Sequence, residues 1–257
     1  MSYDKYSKIK HKTPYFYVYK SKNQLLYYFG SNHSHDPNHP QFNLLKEKWS
    51  EFISNTKKTK RAVIVEACEM SNKELTLETS IIKRGEVGAG AYLSNKSESL
   101  LAFGEPKENE IINYLLKNFS KEEILLFFES IAIEFWHNSK TNKSIEEFLS
   151  NHTNKYRTLL GWPDLVISVD LINKIYKKIF GQELNIGDKK IFSQMTTPAT
   201  IKSRINKLSR SQSRYRNEYI LDQIEKYWND RYNIFIVYGA GHAVMQEQAI
   251  KSLVNSE

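Results

Sequence analysis

The chain has 257 residues, with 37 Lys and Arg against 29 Asp and Glu, a formal net charge of +8. Its 40% hydrophobic content supports a packed core and excludes a disordered chain, while only 6 Pro and 10 Gly exclude a collagen-like or linker-dominated one. The single cysteine, Cys68, excludes an intrachain disulfide framework and any four-cysteine metal site, and the positive balance leaves nucleic acid, an anionic surface or no specific partner open.

The first twenty residues are basic but lack the apolar stretch of about 7–15 residues that a secretory signal needs. No run approaches the ~20 apolar residues of a spanning helix, so no membrane span and a cytoplasmic location are expected. Residues 14–20 (PYFYVYK) and 24–30 (QLLYYFG) are aromatic-rich strand candidates joined by a short polar turn, which predicts a hairpin. A polar loop with His33, His35 and His39 follows, then a helix over 41–54 with Pro40 near its start. Residues 61–67 (RAVIVEA) read as a buried, central, parallel strand, with Glu66 at its end. Residues 68–99 read as polar and irregular around GEVGAGAYL, with helical character on either side left open, and Gly88 and Gly90 suit a tight turn. Residues 99–103 form another strand, stopped by Gly104-Glu105-Pro106.

Helices are expected over 107–118, 121–137 (capped by Ser120 and Glu123), 142–150 and 163–180, the last stopped by Gly181. Residues 182–199 read as loop and 200–230 as a long helix. Residues 233–238 are the final strand, Gly239–His242 the turn out of it, and 243–254 the closing helix. This order predicts one α/β domain over 1–257. Its central sheet is mostly parallel, it has an N-terminal hairpin, and a helical insertion or cap over 107–230 precedes the last strand.

Ligand sites of open α/β sheets lie beyond the carboxyl ends of the strands. His33, Glu66, Glu105 and His242 all fall at such ends, each zero to three residues past an apolar run. Carboxylates buried there need a metal, arginine or histidine beside them. Glu66 or His33 is a candidate general base for water. His242 is a second base or a metal ligand, and Arg216 a holder of a carboxylate or developing oxyanion. His33, Glu66 and His242 together would give a divalent ion (Mn²⁺, Zn²⁺ or Co²⁺) two nitrogens and an oxygen, with an open position.

Two strands end in Gly-x-x-His: Gly30-Ser-Asn-His33 and Gly239-Ala-Gly-His242. Glu66 in VIVEA, Glu105 in FGEP and Arg216-Asn217 early in the last long helix stand between them. In these motifs the chain resembles the TraB/PrgY and Tiki family, within the wider erythromycin-esterase-like and ChaN-like group, over roughly residues 24–254. The resemblance implies a carboxylate–imidazole site at the sheet edge, whose uses in the group include metal-dependent proteolysis, lactone ester hydrolysis and haem binding. The absence of a spanning segment departs from the membrane-associated members.

Other residues carry weaker signals. His35 and His39 are either site members or loop histidines, and Glu86 is either a site member or an ordinary loop carboxylate. Cys68 is read as a buried structural thiol rather than a nucleophile served by His33. Residues 201–217 hold Lys202, Arg204, Lys207, Arg210, Arg214 and Arg216 with no acid, six of the net +8. This run reads first as a solvated helix face, then as an inward arginine pair for an anionic substrate, and last as a phosphate-backbone contact. The leading functional expectation is a hydrolase that activates water with a His/Glu site to cleave an ester, lactone or peptide bond in a small-molecule or peptide substrate, anionic ones included. The alternative is a non-enzymatic binder of a small anion, haem or peptide, and nucleic acid is the least expected partner.

Overall fold

A computed structural model describes residues 1–70, 76–139 and 141–255. In chain order the elements are α1 (Tyr3–Tyr6), β1 (Tyr15–Lys20), β2 (Leu25–Ser31), α2 (Gln41–Asn55), β3 (Arg61–Val65), α3 (Leu77–Lys96) and β4 (Leu100–Phe103). Six helices follow: α4 (Glu108–Leu115), α5 (Lys121–Asn138), α6 (Ile145–Ser150), α7 (Thr153–Leu159), α8 (Val169–Phe180) and α9 (Lys189–Thr196). Then come α10 (Arg204–Asn229), β5 (Asn233–Gly239) and α11 (Ala240–Asn255). The chain divides into two compact units, residues 1–106 with 216–257, and residues 107–215. The insertion expected over 107–230 overlaps the second unit. The last turns of α10 belong to the first, where Ile220, Ile224 and Trp228 are buried.

The first unit is built on a five-stranded sheet in the order β1-β2-β5-β3-β4. β1 pairs antiparallel with β2, and every other pairing is parallel, giving the expected α/β architecture with its hairpin. β5 lies in the centre and is buried at every position. Its side chains alternate: Ile234, Ile236 and Tyr238 join one core with Tyr28, Ile64, Ile220 and Trp228. Phe235 and Val237 join the other, with Phe42, Phe52, Val63 and Ala89. Burial on both faces explains the unbroken apolar run in the sequence. The second unit packs around its own core, which includes Ile112, Leu125, Phe127, Ile172, Phe192 and Leu208. Among the described residues no helix is long and apolar enough to cross a membrane.

Several expectations need correction. The centre of 68–99, GEVGAGAYL, is not irregular: α3 runs through it and through the flanks left open as helix, with a break at Arg84 and Gly85, while 71–75 lie outside the described residues. Gly90 makes no turn but lets this helix press on the sheet. A Cβ there would stand 2.9 Å from Val65 Cγ1 and 3.1 Å from Val237 Cγ2. The helix expected over 163–180 starts only at Val169, where the Ser168 side chain accepts the Leu171 N–H at 3.1 Å and caps it. A helix that was not expected, α7, precedes it. The loop expected over 182–199 contains α9, which Asp188 caps and which buries Phe192 and Met195 one turn apart. Gly239–His242 is no free turn either: α11 starts at Ala240, which places His242 in its first turn.

Candidate active site

The parallel register aligns the strand exits. Ser31 of β2 pairs with Gly239 of β5, and Val65 of β3 with both Val237 of β5 and Phe103 of β4. The segments that follow carry His33, Glu66 and Glu105 to one sheet edge. The β4 exit is tied to the β3 exit by backbone bonds from Gly104 N to Val65 O (2.8 Å) and Glu105 N to Ala67 O (3.0 Å). The two glutamates therefore stand side by side, and Arg216 of α10 is clamped between them. Its Nε donates to Glu105 Oε2 at 2.6 Å, and its second guanidinium nitrogen donates to Glu105 Oε1 at 2.8 Å and Glu66 Oε1 at 2.7 Å. Glu66 Oε2 accepts the backbone N–H of Gly239 at 2.7 Å. Burial works against the Arg216 charge, but the two carboxylates outweigh it and hold the proton more firmly than usual. Burial also raises the pKa of Glu105; Arg216 opposes this, and the neighbouring Glu66 charge adds to it.

His33 is held by a residue that the sequence reading left undecided. Its Nδ1 lies 2.5 Å from Glu86 Oε1, and the Glu86 carboxylate is buried while the imidazole is 71% exposed. The backbone N–H of Ser34 donates to Glu86 Oε2 at 3.4 Å. Glu86 reaches this place because α3 breaks just before it: Gly85 adopts φ 56°, ψ −141°, which a side chain resists. The carboxylate thus sits where a new run of helix begins, at the end that favours negative charge. Burial opposes that charge, yet the His33 bond, its own backbone N–H, the His33 charge and Ser34 together hold its pKa below the ordinary value. The Glu86 hydrogen bond raises the pKa of His33 above 6.5 against partial burial; the Glu86 and Glu66 charges assist and Arg216 opposes.

A Cβ on Gly85 would stand 2.8 Å from Ser34 O. Gly85→Ala is therefore expected to cost about 1–3 kcal/mol in urea unfolding. It should also loosen the His33–Glu86 pair, seen as a fall in the His33 pKa by NMR. An unchanged melt and titration would refute the break as the device that places Glu86.

His242 is set differently. Its Nδ1 lies 2.9 Å from Asn217 Oδ1, which also accepts Gln246 Nε2 at 2.7 Å, while Gln246 Oε1 accepts the Tyr28 hydroxyl at 2.8 Å. The Asn217 amide nitrogen donates to the Tyr3 hydroxyl at 3.3 Å. With both amides so oriented, Nδ1 carries the His242 proton and Nε2 keeps a lone pair. Burial first, then the Arg216 and His33 charges, depress the His242 pKa to about 3, so this imidazole is neutral near pH 7. The His33 ring lies close by over Gly239: a Cβ there would stand 3.4 Å from His33 Nε2 and 3.2 Å from Glu66 Oε2.

All five strand-edge candidates, His33, Glu66, Glu105, Arg216 and His242, thus belong to one neighbourhood, with Glu86, Asn217 and Gln246 added. Gln246 had a legible signal, one helical turn beyond His242, and Asn217 follows Arg216 directly. Tyr3 had none. The other loop histidines have local tasks: His35 Nδ1 bonds Ile82 O at 3.1 Å, and His39 Nδ1 accepts the Gln41 N–H at 3.3 Å. Cys68 is exposed, not buried. The basic run is not simply a solvated face. Arg204 pairs with Glu123, Arg210 bonds the carbonyls of Pro198 and Ala199, and Arg214 bonds the Tyr114 hydroxyl.

The metal set of His33, Glu66 and His242 does not fit the arrangement. Glu66 is the misfit: both its oxygens already accept hydrogen bonds, one of them from the Arg216 guanidinium 2.7 Å away, whereas His242 still offers Nε2. Among the described residues no three such groups stand where they would hold an ion together. Neither a known protein family, nor a curated protein, nor a solved structure matches the chain.

Proposed function

We propose that this site is that of a hydrolase that activates water through His33 and cleaves an ester, lactone or peptide bond. The observation that carries the reading is the His33–Glu86 pair, an exposed imidazole whose Nδ1 is fixed by a buried carboxylate. Glu86 orients the ring, keeps the proton on Nδ1 and stabilises the imidazolium that forms, leaving Nε2 as the base. Water gives a proton to Nε2 as its oxygen bonds to the carbonyl carbon. The same proton then passes to the leaving oxygen or nitrogen as the old bond breaks. His242 is neutral and offers a lone pair at Nε2, which suits it to accept a hydrogen bond from the water or the substrate. Two imidazoles whose pKa values are driven in opposite directions are the pattern expected of divided acid–base roles. Arg216 is occupied by Glu66 and Glu105, so its role is to hold the two carboxylates in place rather than to receive an oxyanion. A reducing, cytoplasmic compartment suits a chain whose one thiol, Cys68, is exposed and free.

A hydrolysis screen over ester, lactone and peptide substrates, with His33→Ala and His242→Ala as controls, tests the reading. Activity that survives both substitutions refutes it. The pH behaviour supplies a check that needs no substrate. By NMR, His33 should titrate above 6.5, and Glu86→Gln should lower its midpoint, while His242 should stay neutral across about pH 5–8. Because folding raises the His33 pKa, the stability from this pair is full below 6.5 and is lost as pH rises through the folded-state value. The rate runs the other way, rising over that interval as the base is freed.

A further inference from the structure

Arg204, Arg210, Arg214 and Arg216 of the basic run are occupied by protein acceptors. Open positive charge gathers instead at the amino-terminal edge of the sheet, about 20 Å from the strand exits along the 7 residues of β5. Residues 20–24, 56–61, 96–99 and 230–232, which lead into the strands there, hold eight Lys and Arg against two acids, Glu98 and Asp230. Among the described residues Lys20, Lys22, Lys57, Lys58 and Lys60 are exposed and form no ion pair. Arg231 is partly occupied, donating to Gln24 Oε1 at 3.1 Å. Glu51, which accepts the hydroxyl of nearby Tyr27, is already paired with Lys48 at 3.1 Å.

Two grooves open among these cations. One, of about 460 Å³, is lined by Lys20, Lys22, Asn23 and Asn55 and, among the described residues, by no acid. The other, of about 530 Å³, is lined by Lys60, Arg61, Ser99, Tyr232 and one acid, Glu98. Thr59 borders both. Two further observations point to a ligand. Arg61 Nη2 donates to Ser97 O at 2.9 Å, but its buried Nε has no acceptor. A guanidinium with so little bonding is costly unless an anion completes its surroundings. The non-glycine residues with positive φ, Lys58 (61°), Glu98 (55°) and Arg231 (64°), also all sit on this edge, in the turns that enter β3, β4 and β5. Glycine is the unstrained choice at a helix end, and strain of this kind gathers at ligand sites.

We propose that this edge is a second binding site, for a small ligand whose two or more linked phosphates lie across Thr59. The cations reach from β2 to β4, three strand spacings or about 14 Å, which suits a phosphate chain rather than a single carboxylate. Lysine ammonium groups hold phosphate as point charges. Two separate grooves of this size suit a small molecule, whereas a nucleic-acid strand needs a continuous channel. The site stands apart from the hydrolase reading and does not depend on it.

Inorganic triphosphate, titrated into the whole protein at fixed ionic strength and followed by ¹H–¹⁵N NMR, tests this. Amides of residues 20–24, 57–61 and 97–100 should shift together, while the His33 and His242 imidazoles should not. Lys22→Gln and Lys60→Gln should each weaken binding about fivefold, the scale of one charge about 4 Å away in water, and Glu98→Gln should tighten it. All three side chains are exposed, so little packing is lost. Lys174→Gln, in the other unit, should change nothing. No binding at millimolar triphosphate, an equal loss in Lys174→Gln, or shifts centred on His33 overturns the proposal. Equal binding of acetate, or tighter binding of a single-stranded oligonucleotide at the same phosphate concentration, overturns it as well.

Discussion

Replacing Arg216 by methionine is expected to lower the unfolding free energy by about 3–5 kcal/mol, the usual cost of removing one partner from a buried charge cluster. Three hydrogen bonds vanish and two poorly solvated carboxylates are left facing each other. The damage should be reversible by chemistry alone. Adding Glu66→Gln and Glu105→Gln removes the orphaned charges and should restore most of the loss, since a buried ionic cluster contributes little net stability against neutral groups of similar volume. Urea unfolding in a background lacking Trp136 and Trp162 reads only Trp49 and Trp228, which both belong to the sheet unit. A loss below about 1 kcal/mol would place the cluster in solvent and refute it as a buried clamp.

Replacing His33 by glutamine should do the opposite at a pH above the His33 midpoint, where the stability of the charged pair is already lost: change the melt little and remove the activity. The imidazole is 71% exposed, so little packing is lost. Removing a positioned general base costs about 10²–10⁴ in kcat, with KM nearly unchanged, because the group acts in the transition state more than in binding. Glu86→Gln should fall between wild type and His33→Gln, with the midpoint of its pH–rate profile moved to lower pH. Parallel losses of stability and activity in His33→Gln would show a structural histidine and end the catalytic assignment.

The sheet was legible because its strands have the composition that burial demands. PYFYVYK, QLLYYFG, AVIV and NIFIVYG are apolar runs closed by turn residues, and the acids and imidazoles just past them mark the carboxyl edge. Strand order was not legible, since β5 pairs with β2 and β3 across about 170 to 210 residues of chain, which local patterning does not encode. The short helices α7 and α9 were lost because two turns give too few apolar positions to establish a period. Glu86 was undecided for a subtler reason. The glycines around it read as a flexible loop, whereas Gly85 breaks a helix and Gly90 lets the resumed helix lie close to β3 and β5. Tyr3 escaped because α1 is only 4 residues long and its one buried side chain leaves no pattern.

The central place of β5 has a consequence for biosynthesis. During synthesis the sheet exists as two separate pieces, β1 with β2 and β3 with β4, until β5 emerges and pairs with both. Until then each piece presents an open edge able to join another chain. Residues 107–215 are contiguous and carry their own core, so they can condense while the sheet waits. Glu66 and Glu105 are made long before Arg216, and Gly239 and His242 come later still. On a ribosome-bound chain lacking β5 the clamp therefore lacks its Gly239 bond and the imidazole pair cannot form, and a fragment ending near residue 230 should aggregate through the two edges that this strand covers.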